Sequence, residues 1–316
     1  MMSRRPTLVR VWGMLYTAVV SSMALAQVPP DFDEKLRALG RVIAPAATAA
    51  LYAPLLKTQS YSEAHVTRDL NYGPAANQRL DLFVPAAAAQ SARPVLIFVH
   101  GGGFLAGDKH PSGSPFYDNV MLWATSRGLI GVDINHRMAP QNTWPAGAED
   151  VGLAVRWVQE NIASQGGDPH RVFLVGHSSG AALAASYVAQ PRFYGPAGAG
   201  LAGAVFLSTN IFDPATADAS PALKAYFGDD AAQYGERSSL PGLLQTPLPL
   251  MVTTTELDPV SFENQALQVR DALCKENRCP TFVRFSGYNH MSEVYSINST
   301  DDTVGSAILA FIRASR

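Results

Sequence analysis

Ser178 sits in Gly176-His177-Ser178-Ser179-Gly180, a G-x-S-x-G run of the kind that presents an acyl-transfer nucleophile. A serine hydroxyl needs three helpers for that chemistry: a base, an acid to orient the base, and donors for the oxyanion. Each has a candidate. His290, in Gly287-Tyr288-Asn289-His290-Met291, comes late, where the chain order serine, acid, histidine requires the base. Asp258, in Thr255-Glu256-Leu257-Asp258-Pro259, stands between the two and would fix the imidazole tautomer. Glu256 competes for that role, and a helix N-cap is the other use for Asp258. His100-Gly101-Gly102-Gly103-Phe104 supplies glycines that let backbone amides approach an oxyanion. Gly102 and Gly103 are the candidate donors, with the amide of Ser179 as a third, and His100 would brace the loop. His65, His110 and His170 read as surface residues. Phe104, Trp144 and Tyr288 lie near these groups in sequence and are candidates to hold a substrate ring.

The elements that must position these residues are legible around them. Val172-Phe173-Leu174-Val175 precedes the serine and small, helix-prone residues follow it, so strand, sharp turn and helix are expected there. Val95 to Val99 is a fully apolar run before the glycines, as a strand buried on both faces would be. Leu129 to Ile134, Ala204 to Leu207, Leu250 to Thr254 and Thr281 to Phe285 read as further strands. Helices are expected over Pro115 to Arg127, Ala148 to Gln165, Val260 to Cys274 and Thr303 to Arg313. The alternation predicts a mostly parallel sheet with helices on both faces. A hairpin of Val66 to Tyr72 and Leu80 to Val84 precedes it. His290 is expected in a loop leaving the last strand. Residues 27–64, with Leu36, Leu39, Val42 and Ile43 at helical spacing, form an N-terminal arm or cap, and 213–248 a cap-like insertion.

Composition sets the bounds. The 316 residues are 47% hydrophobic and 16% charged, which suits one α/β domain. A formal charge of −2 gives no general pull toward nucleic acid. Residues 1–26 have a basic start, a short apolar stretch and Ala24-Leu25-Ala26, the pattern of a signal peptide cleaved before Gln27. Export to the periplasm or beyond, with no stable membrane anchor, follows; a retained anchor is the alternative. Cys274 and Cys279 could then form a local disulfide, worth about 2 kcal/mol in the chain-entropy model. Two free thiols are the other reading, and the pair alone is too few to hold a metal. The serine chemistry asks for no cofactor.

Taken together the motifs resemble the hormone-sensitive-lipase-like branch of the α/β-hydrolases. The likeness rests on His100-Gly101-Gly102-Gly103, Asn135-His136-Arg137-Met138-Ala139-Pro140, Trp144-Pro145-Ala146, the serine turn, Asp258-Pro259 and His290. It covers roughly residues 65 to 315 and implies an α/β-hydrolase fold with a small cap. It also implies Ser178, Asp258 and His290 as a triad acting on small-molecule esters. Tyr72-Gly73, Gln78-Arg79-Leu80-Asp81-Leu82 and Tyr226-Phe227-Gly228 are similar to bacterial acetyl-xylan, feruloyl and arylformamidase-like members. Two positions depart from the branch: His177 replaces a common acid, and Asn135-His136-Arg137 replaces aspartate-tyrosine-arginine. An arylformamidase-type amide hydrolase and a non-catalytic binder on the same scaffold are the rival readings.

Overall fold

The structure is a computed structural model that describes residues 31–56, 61–196 and 198–315. The expected signal peptide and the start of the arm lie outside these residues. Eight strands form one sheet in the order β1-β2-β4-β3-β5-β6-β7-β8. β1 (Ala64–Asn71) and β2 (Arg79–Pro85) make the expected hairpin, and β2 also runs antiparallel to β4 (Ile130–Ile134). From β4 onward every pairing is parallel, through β3 (Arg93–Val99), β5 (Gly167–His177), β6 (Gly203–Leu207), β7 (Leu250–Leu257) and β8 (Thr281–Asn289).

The continuous apolar runs are explained by burial on both faces. In β3, Val95, Ile97 and Val99 enter one core with α4 (Ala146–Asn161) and α5 (Ser179–Ala189). Leu96 and Phe98 enter the other with α3 (Asp118–Ser126) and α11 (Thr303–Ala314). Each such side chain contributes about 1.5–3 kcal/mol when fully buried. After β3 the chain moves outward to β4, then returns through α4 to β5 on the opposite side of β3. That reversal opens a crevice at the carboxyl ends of β3 and β5.

Two local expectations are corrected. Val42 and Ile43 are not on a helix: α1 (Phe32–Ala38) ends before them, and α2 (Pro45–Tyr52) begins after them. Pro45 occupies the first turn of α2, where its missing N–H costs nothing, so it starts a helix rather than interrupting one. His290 is not in a loop. β8 runs to Asn289 and α10 (His290–Tyr295) follows at once. Asn289 caps α10: its side chain accepts from the Ser292 amide, and Ser292 Oγ accepts from the Asn289 amide, both at 2.8 Å.

The arm packs over the carboxyl ends of β7 and β8. Arg37 pairs with Glu256 at 2.6 Å, and Arg41 Nε donates to the Asp258 carbonyl at 2.6 Å. Thr48 Oγ1 accepts from Asn289 Nδ2 at 3.0 Å. The insertion between β6 and β7 folds into the short helices α6 (Pro221–Phe227), α7 (Tyr234–Arg237) and α8 (Leu240–Leu243). α9 (Val260–Lys275) then leads to the bonded pair Cys274–Cys279.

Candidate active site

Ser178 lies between β5 and α5 with φ 57° and ψ −124°. A non-glycine residue in that region stores roughly 1–3 kcal/mol of strain, so the surroundings must impose it. They do. A Cβ on Gly176 would stand 2.6 Å from Ala181 Cα, and one on Gly180 would stand 2.2 Å from the Val99 carbonyl. Only glycine lets strand, turn and helix approach this closely. The Ser178 amide is anchored on the Leu207 carbonyl at 2.9 Å, and the serine occupies the positive end of α5.

The glycine loop after β3 faces the serine. A Cβ on Gly101 would come within 3.0 Å of Ser178 Cβ. Gly102 has φ +135° and a Cβ there would overlap the Ala106 carbonyl oxygen at 1.7 Å, so no other residue fits. Among the described residues, none accepts a hydrogen bond from the amides of Gly102, Gly103 or Ser179. The loop is tied down by Asn135, whose Oδ1 accepts from the Lys109 amide at 2.7 Å and whose Nδ2 donates to Asp108 at 3.0 Å. His100 Nδ1 lies 2.7 Å from the Gly101 carbonyl, and its ring stacks on His136 at 4.6 Å. Burial, and then the neighbouring His136, push His100 down to about 3, so it is a neutral brace.

His290 Nδ1 lies 2.9 Å from Asp258 Oδ1, both side chains being buried. Asp258 Oδ2 accepts from Ser208 Oγ at 2.7 Å, Thr254 Oγ1 at 3.0 Å and the Thr255 amide at 2.7 Å. Burial alone would raise this carboxyl, but the bonds from His290, Ser208 and Thr255 outweigh it and hold Asp258 below the usual range. Glu256 does not compete. Its carboxylate turns to Arg37, Ser286 and the Gly287 amide, which draw it down to about 2. His177 Nε2 lies 2.9 Å from the His290 carbonyl, and the two rings are 4.7 Å apart.

Ser178, His290 and Gly101 to Gly103 open on one cavity of about 590 Å³. Ile43 and Pro45 of the arm, and Ala217, Asp218 and Ala222 of the insertion, also line it. Phe104, Trp144 and Tyr288 do not. Phe104 is buried against Tyr226, their rings stacked at 4.5 Å. Trp144 lies beneath the guanidinium groups of Arg192 and Arg237 at 4.8 and 5.6 Å. Tyr288 turns to Asp301 under the arm. Nearness in sequence misled because alternate strand and loop residues face opposite layers. The aromatic walls are instead Tyr117, Phe262 and Tyr295.

Esterase B of Lactobacillus rhamnosis, solved with a phosphonate inhibitor, superposes with a TM-score of 0.72 over 85% of this chain and 91% of that one, at 19% identity. The chain has the α/β-hydrolase fold. The family model BD-FAE matches residues 80–190 of the chain, a span that includes the glycine loop and Ser178 but neither Asp258 nor His290. Esterase LipQ of Mycobacterium tuberculosis is 40% identical over 121 residues, covering 38% of this chain and 28% of the relative. LipM of the same organism, a probable carboxylic ester hydrolase, is 32% identical over 169 residues, or 52% of this chain and 38% of the relative. The chain spans well under half the length of these relatives. They support the resemblance to the hormone-sensitive-lipase-like branch.

Sequence reasoning did not find Ser208, Asn135 as loop anchor, or the cavity walls of Tyr117, Phe262 and Tyr295. Asn135 was visible as a departure from the family pattern. Ser208 had no signal, because its hydroxyl donates to a carboxylate fifty positions away.

Proposed function

We propose that this protein is a serine carboxylesterase acting on small esters through an acyl-enzyme. The observation that carries the reading is the buried Asp258–His290 pair, whose histidine shares a cavity with Ser178 and the glycine loop. Ser178 Oγ attacks the ester carbonyl while His290 Nε2 takes its proton, and Nδ1–H remains on Asp258. The amides of Gly102, Gly103 and Ser179 receive the oxyanion. His290, now imidazolium, protonates the leaving alcohol as the C–O bond breaks. Water then deacylates Ser178 by the same route.

The arm and the insertion act as a cap. A cavity of this size, in the range of small-molecule sites, favours acetyl to butyryl groups over long chains. Each methylene left unburied forfeits about 0.8 kcal/mol, close to fourfold in rate, so kcat/KM should fall steeply beyond about eight carbons. An aryl group would pack on Tyr117, Phe262 and Tyr295. Residues 1–26 serve as an export signal, which fits the Cys274–Cys279 bond.

Labelling with a fluorophosphonate tests the nucleophile, followed by nitrophenyl esters of increasing length. The wild type should label and Ser178→Ala should not, with esterase activity down on the order of 10⁴ or more. A labelled, active Ser178→Ala would remove Ser178 from the role. An optimum at palmitoyl esters would remove the short-chain preference.

A further inference from the structure

Glu293 is fully buried on α10, one helical turn beyond His290, and no step above uses it. Its Oε1 lies 2.5 Å from Thr253 Oγ1, and its Oε2 has no hydrogen-bond partner. Thr253 Oγ1 accepts from the Ser208 amide and also lies 3.3 Å from the Phe206 carbonyl. If Glu293 were a carboxylate, two acceptors would share the single Thr253 hydroxyl proton. With a proton on Glu293 every bond has its own donor: Glu293 donates to Thr253 Oγ1, and Thr253 donates to the Phe206 carbonyl. The neighbouring Ser208 hydroxyl favours an ionised Glu293, but its single proton already bonds Asp258 Oδ2 at 2.7 Å, so this pull is weaker than burial.

We propose that Glu293 is held as a neutral carboxylic acid and is a positioning residue for the Asp258–His290 pair. It joins α10 to β7 through Thr253 without placing a second negative charge behind Asp258. The surroundings agree: burial, and then the Asp258 carboxylate, push Glu293 up to about 8. Asp258 is the charged group that reaches it from the β7 side. His290 stands on its own helix, and His177 reaches that histidine from β5 with ring centroids 4.7 Å apart. An ionised Glu293 would repel Asp258 and stabilise the imidazolium, the form of His290 that cannot take the serine proton. This inference rests on the triad reading given above.

The test is the pH profile of kcat/KM on a short nitrophenyl ester for the wild type and Glu293→Gln, alongside infrared spectra with isotope-labelled glutamate. The amide of Glu293→Gln keeps a donor for Thr253, so at pH 7 its kcat should stay within about threefold of wild type with KM unchanged. The wild type should lose activity above about pH 8 and the variant should not. An alkaline fall shared by both, or a folded variant at least 100-fold slower at pH 7, on the scale of losing a catalytic group, would overturn the proposal. Should the variant fail to fold, the wild-type spectrum decides: a protonated glutamate band at pH 7 that fades past about pH 8 supports it, and no such band overturns it. The spectrum needs no turnover, so a band in an inactive preparation supports the neutral acid even where the esterase reading fails.

Discussion

At Asp258 and Glu256 two carboxylates almost adjacent in the chain have opposite fates. Asp258 points inward to His290, Ser208 and the Thr255 amide, while Glu256 points outward to Arg37. Asp258→Asn should therefore cost on the order of 10²–10⁴ in kcat, because an amide at Oδ1 favours the wrong imidazole tautomer. Glu256→Gln loses only a surface pair and should stay within about twofold. Steady-state kinetics on the two purified variants checks this, and equal losses would reassign the acid. That Ser178 and His290 would share one cavity could be read from sequence because their motifs state their surroundings locally. The aromatic cavity walls could not. Which ring faces the serine depends on how separate layers stack, and no short motif records that.

The strands were legible for a related reason. A strand buried on both faces is largely apolar: β6 is so throughout, β3 from Val95 to Val99, and β4 apart from Asp133. The arm was harder, since its apolar residues follow a helical spacing that the chain does not use. Ile43 lies between α1 and α2, about half exposed, on the wall of the cavity that holds Ser178 and His290. Its contribution to folding is small and its position at the mouth is commanding. Ile43→Trp should leave the melting temperature nearly unchanged and reduce kcat/KM for butyryl esters more than for acetyl esters, by roughly one to two methylene equivalents, or four- to fifteenfold in the ratio. Equal effects on both esters would place Ile43 away from the acyl path.

The molecule as a whole has a readable response to pH. His100 and His177 are pushed down to about 3, and His136 also lies low, mainly by burial. Folded, they stay neutral where the unfolded chain would bind protons, so stability rises with pH from about 3 to about 6.5. Glu293 and Asp133 are raised by burial and hold protons that the unfolded chain releases. Stability from those two is complete below the ordinary carboxyl range and is lost as pH rises, through about 8 for Glu293. Below pH 6.5 the three histidines outnumber the two acids, and above it the acids act alone. The melting temperature should peak near pH 6–7 and fall on both sides, and Glu293→Gln should flatten the alkaline side. A melting temperature still climbing at pH 8 would contradict these assignments. None of this was visible in the sequence, where a buried acid and a solvated one look the same.

The reversal at β3 has one more consequence. The glycine loop leaves β3 and the serine leaves β5, and the two are brought together by pairing of Val99 with Gly176. β4 and α4 lie between those strands in the chain, so their meeting closes a long loop. Loop closure over such a distance is slow compared with forming a turn or a helix. During refolding, the serine turn can form before the glycine loop reaches it, since that loop arrives with another strand. On the proposed function, esters stay untouched until these long-range contacts are complete, and the return of activity is a clock for the centre of the sheet.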